Sequence, residues 1–276
     1  MALTTLLAFQ SADSPLDRAK LVISMADEMG VHLNLVVFGI MVPVPMAAYP
    51  GIPVAVTAED FEQTAEGAQQ RARTLETLIA EAGVSANITV ECVDRGMVGR
   101  TMSRHALCAD VTVFPNGSVP GDDLATQAFN GVLFDADRPV LCLGAKDRPL
   151  TGHSKALMAW NGEPEAAAAI HCSLPLLGSV TDLHIVTVRH PDGPAPQVAD
   201  EEMLRFLERH GKSVTTSSLQ AGSGAVADTL LNCAGQVGAD IVVMGAYGHS
   251  RLREWLLGGT TRQLLSRSEL PVLMAH

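Results

Sequence analysis

The sequence predicts an α/β protein built from two tandem units, each an open parallel sheet with helices on both faces. Three observations carry this prediction. Short apolar runs alternate with segments of helical apolar spacing, the pattern of crossover connections. The runs are apolar throughout, as in strands covered on both sides. The order of elements then restarts near residue 155 and runs again to the C-terminus, a repeat of domain size.

In the first unit, residues 3–9 read as a buried strand. Ser11 to Pro15 is turn chemistry that opens a helix running to Met29, with Leu16, Ala19, Ile23 and Ala26 on one face and Gly30 as its stop. Residues 32–39 form the next strand. The stretch 41–56 contains Pro43, Pro45, Pro50 and Pro53, which forbids a helix or central strand and predicts an irregular loop. A long helix is expected over 58–82, a strand over 87–93, a helix over 97–109 and a strand over 111–114. A helix over 121–135 and a strand over 139–143 complete the unit.

Residues 145–154 are polar, contain Pro149 and Gly152, and read as a linker. The second unit repeats the pattern: strands over 155–160, 182–188, 213–219, 241–244 and 271–275, with helices over 164–177, 198–210, 224–236 and after the glycine-rich segment. Matching the letters pairs residues 6–10 with 157–161 and 33–38 with 183–188, at offsets of 151 and 150. Later segments match at offsets of 130 and 132, so the first copy is longer between Phe38 and Ala109. The predicted domains are 1–146 and 152–276.

Composition narrows the functional classes. The chain has 276 residues, a formal charge of −11 and 47% hydrophobic residues, which fits a folded core and opposes non-specific nucleic-acid binding. No apolar run approaches the ~18 residues of a membrane span. The N-terminus lacks a basic segment and reads as a strand, not a leader. Cys92, Cys108, Cys142, Cys172 and Cys233 are scattered, without the spacing of a zinc site or a disulfide framework. They read as buried free thiols in a reducing cytoplasm. No phosphate-binding motif ending in Gly-Lys-Ser/Thr and no nucleophile elbow is present, so neither a Walker-type NTPase nor a fast hydrolase is expected.

The informative stretch is 239–265. The apolar run Ile241–Met244 ends in Gly245, and Gly248 and Gly258 follow 3 and then 10 positions on. Glycines there let backbone N–H groups approach a phosphate, and a following helix N-terminus favours an anion. His249 lies inside the loop, and Arg251, Arg253 and Arg262 flank it as candidate phosphate partners. Gly222-Ser223-Gly224 reads as a strand-to-helix turn. His184 and His190 lack ligand partners in spacing and read as structural or exposed. Trp255, Leu256 and Leu257 read as apolar cover or a subunit contact.

This constellation resembles the tandem-domain form of the universal stress protein family. It is carried by Gly245, Gly248 and Gly258, by Ala239-Asp240, by Ala159-Trp160-Asn161-Gly162, and by Leu270-Pro271-Val272-Leu273. The resemblance implies a flavodoxin-like or Rossmann-like sheet of the adenine nucleotide alpha hydrolase type, in two domains forming a pseudo-dimer. It implies a cytoplasmic, stress-responsive protein that binds ATP, with Mg2+ at the phosphates and at most slow hydrolysis. The implied site comprises Ala159, Trp160, Asn161, Thr187, Val188, Met244, Gly245, Ala246, Gly248, His249, Arg251, Gly258, Gly259, Thr260 and Thr261. Two departures stand out. Gly259 occupies the position where relatives carry a hydroxyl or Asn, which moves the hydroxyl to Thr260. Asn161 replaces the usual Asp.

The first copy has Phe114-Pro115-Asn116-Gly117-Ser118 against the glycine segment, Thr126 and Gln127 against Gly258 and Gly259, and Gln10 against Asn161. It is expected to bind no nucleotide and to pair with the second copy through 140–143 and 272–274. A homodimer and an unidentified protein partner are further expectations, with no nucleic acid and no membrane. The alternative is a non-catalytic interaction module whose crevice is empty or holds another ligand, with the 41–56 loop as its extra surface.

Overall fold

The computed structural model describes residues 3–41, 58–115, 119, 123–144, 154–178, 180–189, 200–221, 226–246 and 259–276. The first unit runs β1 (Thr5–Ser11), α1 (Leu16–Met29), β2 (His32–Met41), α2 (Ala58–Ala82), β3 (Ala86–Asp94), α3 (Val98–Ala106), β4 (Val111–Phe114), α4 (Asp123–Asn130) and β5 (Val140–Cys142). The second runs β6 (Lys155–Ala159), α5 (Pro164–Leu176), β7 (Asp182–Arg189), α6 (Asp200–Arg209), β8 (Ser213–Gln220), α7 (Val226–Val237), β9 (Ile241–Gly245), α8 (Gly259–Arg267) and β10 (Val272–Ala275). The proline-rich segment lies outside the described residues except for Met41, which ends β2. The linker lies outside them except for Ser154.

All ten strands form one sheet in the order β3-β2-β1-β4-β5-β10-β9-β6-β7-β8. Every pairing is parallel except the central one, where β5 and β10 run antiparallel with Leu141 opposite Leu273. This is the predicted α/β architecture of two tandem open sheets joined as a pseudo-dimer, and the junction uses the expected strands. Gly144, just past β5, fits because a Cβ there would overlap the Glu269 carbonyl.

Alternation along the strands divides the core into two layers. Leu6, Leu33, Leu35, Met158 and Ile185 pack under α1, α2, α5 and α6. Leu7, Val36, Leu157, Val186 and Val242 pack against α3, α4, α7 and α8. The helix expected over 121–135 ends early: α4 gives way to a π-helical turn at Gly131–Asp135, where Gly131 presses on the Gly99 backbone of α3. Lys212 holds the other layer's chain ends, its Nζ donating to the carbonyls of Leu177 at 2.8 Å and Val180 at 2.6 Å beyond α5.

The strand register corrects the alignment made from letters. Thr5 pairs with His32 and Lys155 with Asp182, so β1 matches β6 at an offset of 150, not 151. Gln10 therefore corresponds to Trp160, and Ser11 to Asn161. A one-residue slip sends each side chain to the opposite face of a strand. The cysteine expectation is corrected too: all five are free, but Cys108 and Cys172 are exposed and Cys92 is half-buried. No helix among the described residues is long and apolar enough to cross a membrane.

A matched pair of aspartates ties each unit's first strand to its fourth. Asp110 Oδ2 accepts from the Thr4 N–H at 2.8 Å, the Thr4 hydroxyl at 2.8 Å and the Thr5 N–H at 2.9 Å. Asp240 Oδ2 likewise accepts from the Ser154 N–H at 2.8 Å and the Lys155 N–H at 3.2 Å. At Asp110 desolvation pushes the pKa up, but the hydrogen bonds from Thr4 and Thr5 outweigh it and the net shift is downward from 3.8. The stabilisation is present above about pH 4 and is lost as pH falls through the lowered value. Asp110→Asn is expected to cost about 1 kcal/mol at pH 7 and to flatten the acid limb of stability, as read by urea melts from pH 7 to 3.

Candidate functional site

The second unit changes winding direction between β6 and β9. From β6 the chain crosses to β7 on one side, and from β9 to β10 on the other, while Met158 pairs directly with Val243. Helices leave in opposite directions, the arrangement that in open α/β sheets places a ligand crevice at the strands' C-terminal ends. Ala159, Trp160, Asn161, Thr187, Val188, Met244, Gly245 and Ala246 all lie at these ends. Gly248, His249, Arg251 and Gly258 lie outside the described residues, as do Arg253, Trp255, Leu256, Leu257, His190 and Gly222 to Gly224.

Asn161 lies just beyond the C-terminal end of β6. Its Oδ1 accepts from the Glu163 N–H at 3.1 Å, closing an Asx turn that starts α5. Gly162 follows with φ of 83°, a left-handed conformation that a side chain would strain. Asn161 is exposed, and its Nδ2 amide remains as a donor. The neighbouring Trp160 turns inward beneath α6, where a cavity of about 110 Å3 is lined by Trp160, Ile185, Thr187, Met203 and Ser218. The indole Nε1 is buried with no hydrogen-bond partner among the described residues. Thr187 faces this cavity, whereas Val188 packs in the opposite layer.

Gly245 has a packing role that its spacing alone does not reveal. A Cβ there would sit 2.6 Å from the Ala166 nitrogen and 2.6 Å from the Glu165 carbonyl carbon, at the first turn of α5. Ala246 is fully buried, and its N–H donates to the Ala275 carbonyl at 2.9 Å, so this amide completes the β9–β10 ladder and is not offered to a ligand. Met244 is buried in the core. The helix α8 begins at Gly259; Gly259 is exposed, Thr260 half-buried, and Thr261 only 3% exposed within the helix packing. Arg262 is exposed.

Two acceptors went unnoticed in the sequence. Glu165 Oε2, beside Gly245 in the first turn of α5, and Gln263 Oε1 on α8 are buried without partners among the described residues. No residue pattern marks them, since burial comes from the packing of α5 and α8. His184 is structural as expected: its ring bridges Thr215 Oγ1 at 2.8 Å and Ser217 Oγ at 2.9 Å. Desolvation, then the Lys155 charge, lower its pKa.

The first unit fills the corresponding crevice with rings. By strand register, Phe9, Phe38 and Phe114 stand where Ala159, Val188 and Met244 stand in the second unit. Phe9 meets Phe38 and Phe114 edge-on, with centroids 6.2 and 5.7 Å apart, and Phe114 meets Phe129 at 5.6 Å. Pro115 is buried in the place of Gly245, and Gln10 is 3% exposed. Arg71 of α2 closes the neighbouring loop, donating to the Ala12 carbonyl at 2.6 and 2.9 Å.

Because Gly245 admits α5 and does not merely free a loop, Gly245→Ala is expected to destabilise the chain by about 1–3 kcal/mol without any ligand present. Chemical denaturation of the ligand-free protein checks this; an unchanged midpoint would show that the contact relaxes.

The model of the universal stress protein family matches residues 151–276. A curated universal stress protein of Synechocystis is 28% identical over 129 residues, covering 44% of this chain and 42% of that protein, so the match spans less than half of either. The fold of the whole chain is similar to that of a universal stress protein from Archaeoglobus fulgidus, at a TM-score of 0.70 and 18% identity over 98% of this chain and 95% of the other. A Pseudomonas aeruginosa protein is similar at a TM-score of 0.58 and 18% identity, over 99% and 93% of the two chains. The C-terminal part of this chain, residues 151–276, is thus a domain of the universal stress protein family.

Proposed function

We propose that the second unit binds one adenine nucleotide, ATP, in the crevice between β6 and β9, and that this occupancy serves a cytoplasmic stress response. In this reading residues 152–276 form the nucleotide domain, and residues 1–146 a degenerate copy that acts as its structural partner. The observation that carries it is the contrast at three strand ends: small or flexible Ala159, Val188 and Met244 in the unit with the glycine motif, three packed phenylalanines in the unit without it.

The chemistry available fits a nucleotide. The Asn161 amide is a donor for a ribose or base acceptor. In this reading the N-terminus of α8 at Gly259 and Thr260 faces the phosphates, an arrangement favourable to an anion. The glycine spacing through Gly248 and Gly258 supplies further backbone donors in this proposal. Glu165, with an unpartnered buried oxygen, opposes a bare polyphosphate and fits one carrying Mg2+. No described side chain pairs a base with a nucleophile at these strand ends, so the proposal is ligand binding, with at most slow hydrolysis.

Calorimetry of the full chain with Mg2+ and ATP is expected to show one site per chain. Ala159→Phe, which copies Phe9 into the second unit, is expected to weaken binding at least about tenfold. Gly258→Val tests the loop separately. Two equivalent sites, or unchanged affinity in Ala159→Phe with the fold intact by circular dichroism, would overturn the assignment.

A further inference from the structure

A second recess lies in the first unit, on the α3 side of the sheet and away from the strands' C-terminal ends. Its volume is about 200 Å3, and its walls are Asn34, Asn87, Thr89, Arg104, His105 and Cys108. Asn34 and Asn87 are direct partners across β2 and β3, and Val36 pairs with Thr89 one step further on. Alternation puts all four on one face, toward α3. Asn34 is early in a ten-residue strand, so the recess sits toward the end of the sheet opposite the crevices.

The second unit shows what this place looks like when closed. There His184 pairs with Thr215, and Val186 with Ser217, in the same register. The His184 ring spans both hydroxyls and is itself 9% exposed. Polar groups on that face satisfy one another. In the first unit the shorter Asn34 does not reach across. Among the described residues, Asn34, Asn87, Thr89 and Arg104 make no side-chain hydrogen bond or ion pair. His105 is held at the rim by Glu91, with Nε2 and Oε1 2.9 Å apart.

We propose that this recess binds a small oxyanion, a carboxylate or a phosphate group, with Arg104 as its charged partner and the amides of Asn34 and Asn87 as neutral donors. A guanidinium presents paired N–H groups that match either group. Two amides from adjacent strands offer further donors at a fixed spacing, and Val36, 1% exposed, gives an apolar floor for a short carbon chain. The volume is below the 300–1,000 Å3 or so of sites for larger ligands, which limits the occupant to a small metabolite.

The test titrates the full chain with sodium succinate and, separately, with inorganic phosphate, at low ionic strength. Calorimetry measures affinity, and NMR follows the Arg side-chain Nε–H and Asn amide resonances. Saturable binding of at least one probe is expected, with Kd of about 1 mM or tighter. The probe that binds identifies the group. Arg104→Ala, at an exposed position, is expected to weaken binding at least about tenfold. Asn34→His, which copies the closed arrangement around His184, is expected to abolish it. Absence of saturation by both probes at about 10 mM would overturn the proposal. So would binding unaffected by Arg104→Ala, which would assign the anion to the second unit. ATP affinity is measured on the same variants and is expected to be unchanged, so failure here is distinguishable from failure of the nucleotide reading.

Discussion

The antiparallel contact between β5 and β10 is the constraint on which the rest of the architecture depends. Each unit alone would present its fifth strand as an open edge, with unpaired N–H and C=O groups inviting other chains. Pairing Val140–Cys142 with Val272–Met274 removes both edges at once and makes two five-stranded sheets continuous. It also brings the two core layers of one unit against those of the other, so that helices of each unit shelter the same sheet faces. The absence of a side chain at Gly144 is a local cost of that closeness.

Most of the architecture was legible in the sequence because the strands and helices obey local rules. The helix over 58–82 and the strand over 111–114 end where the letters say they end. The exception at 121–135 has a nonlocal cause: Gly131 must meet Gly99, and the backbone widens into a π turn to allow it. The slip of one residue between β1 and β6 is more instructive. Both faces of these strands are buried, so hydrophobicity does not distinguish them, and matching Leu-Leu-Ala-Phe to Leu-Met-Ala-Trp by letters chose the wrong register. Only the pairings with β2 and β7 reveal it.

The candidate site was legible as a place more than as a set of contacts. The glycine spacing located the end of β9, and the repeat located the matching end of β6. Spacing does not say why a glycine is required, and Gly245 turns out to make room for a helix. Nor does it say which amides are already engaged, as that of Ala246 is. The bulk contrast between Phe9, Phe38, Phe114 and Ala159, Val188, Met244 was present in the letters all along. It was hidden by the register slip, which set Phe9 against Trp160, two large rings, and so concealed the difference.

A consequence follows from joining the two halves in one polypeptide. When two identical chains associate about a twofold axis, every substitution appears twice, and neither crevice can change without the other. Here the halves are encoded separately. The aromatic ring at Phe9 leaves Ala159 untouched, and the imidazole at His184 leaves Asn34 free. Covalent linkage thus relieves the halves of a symmetry requirement while keeping the shared sheet. The result is one scaffold with different recesses in its two halves, joined by a common set of strands.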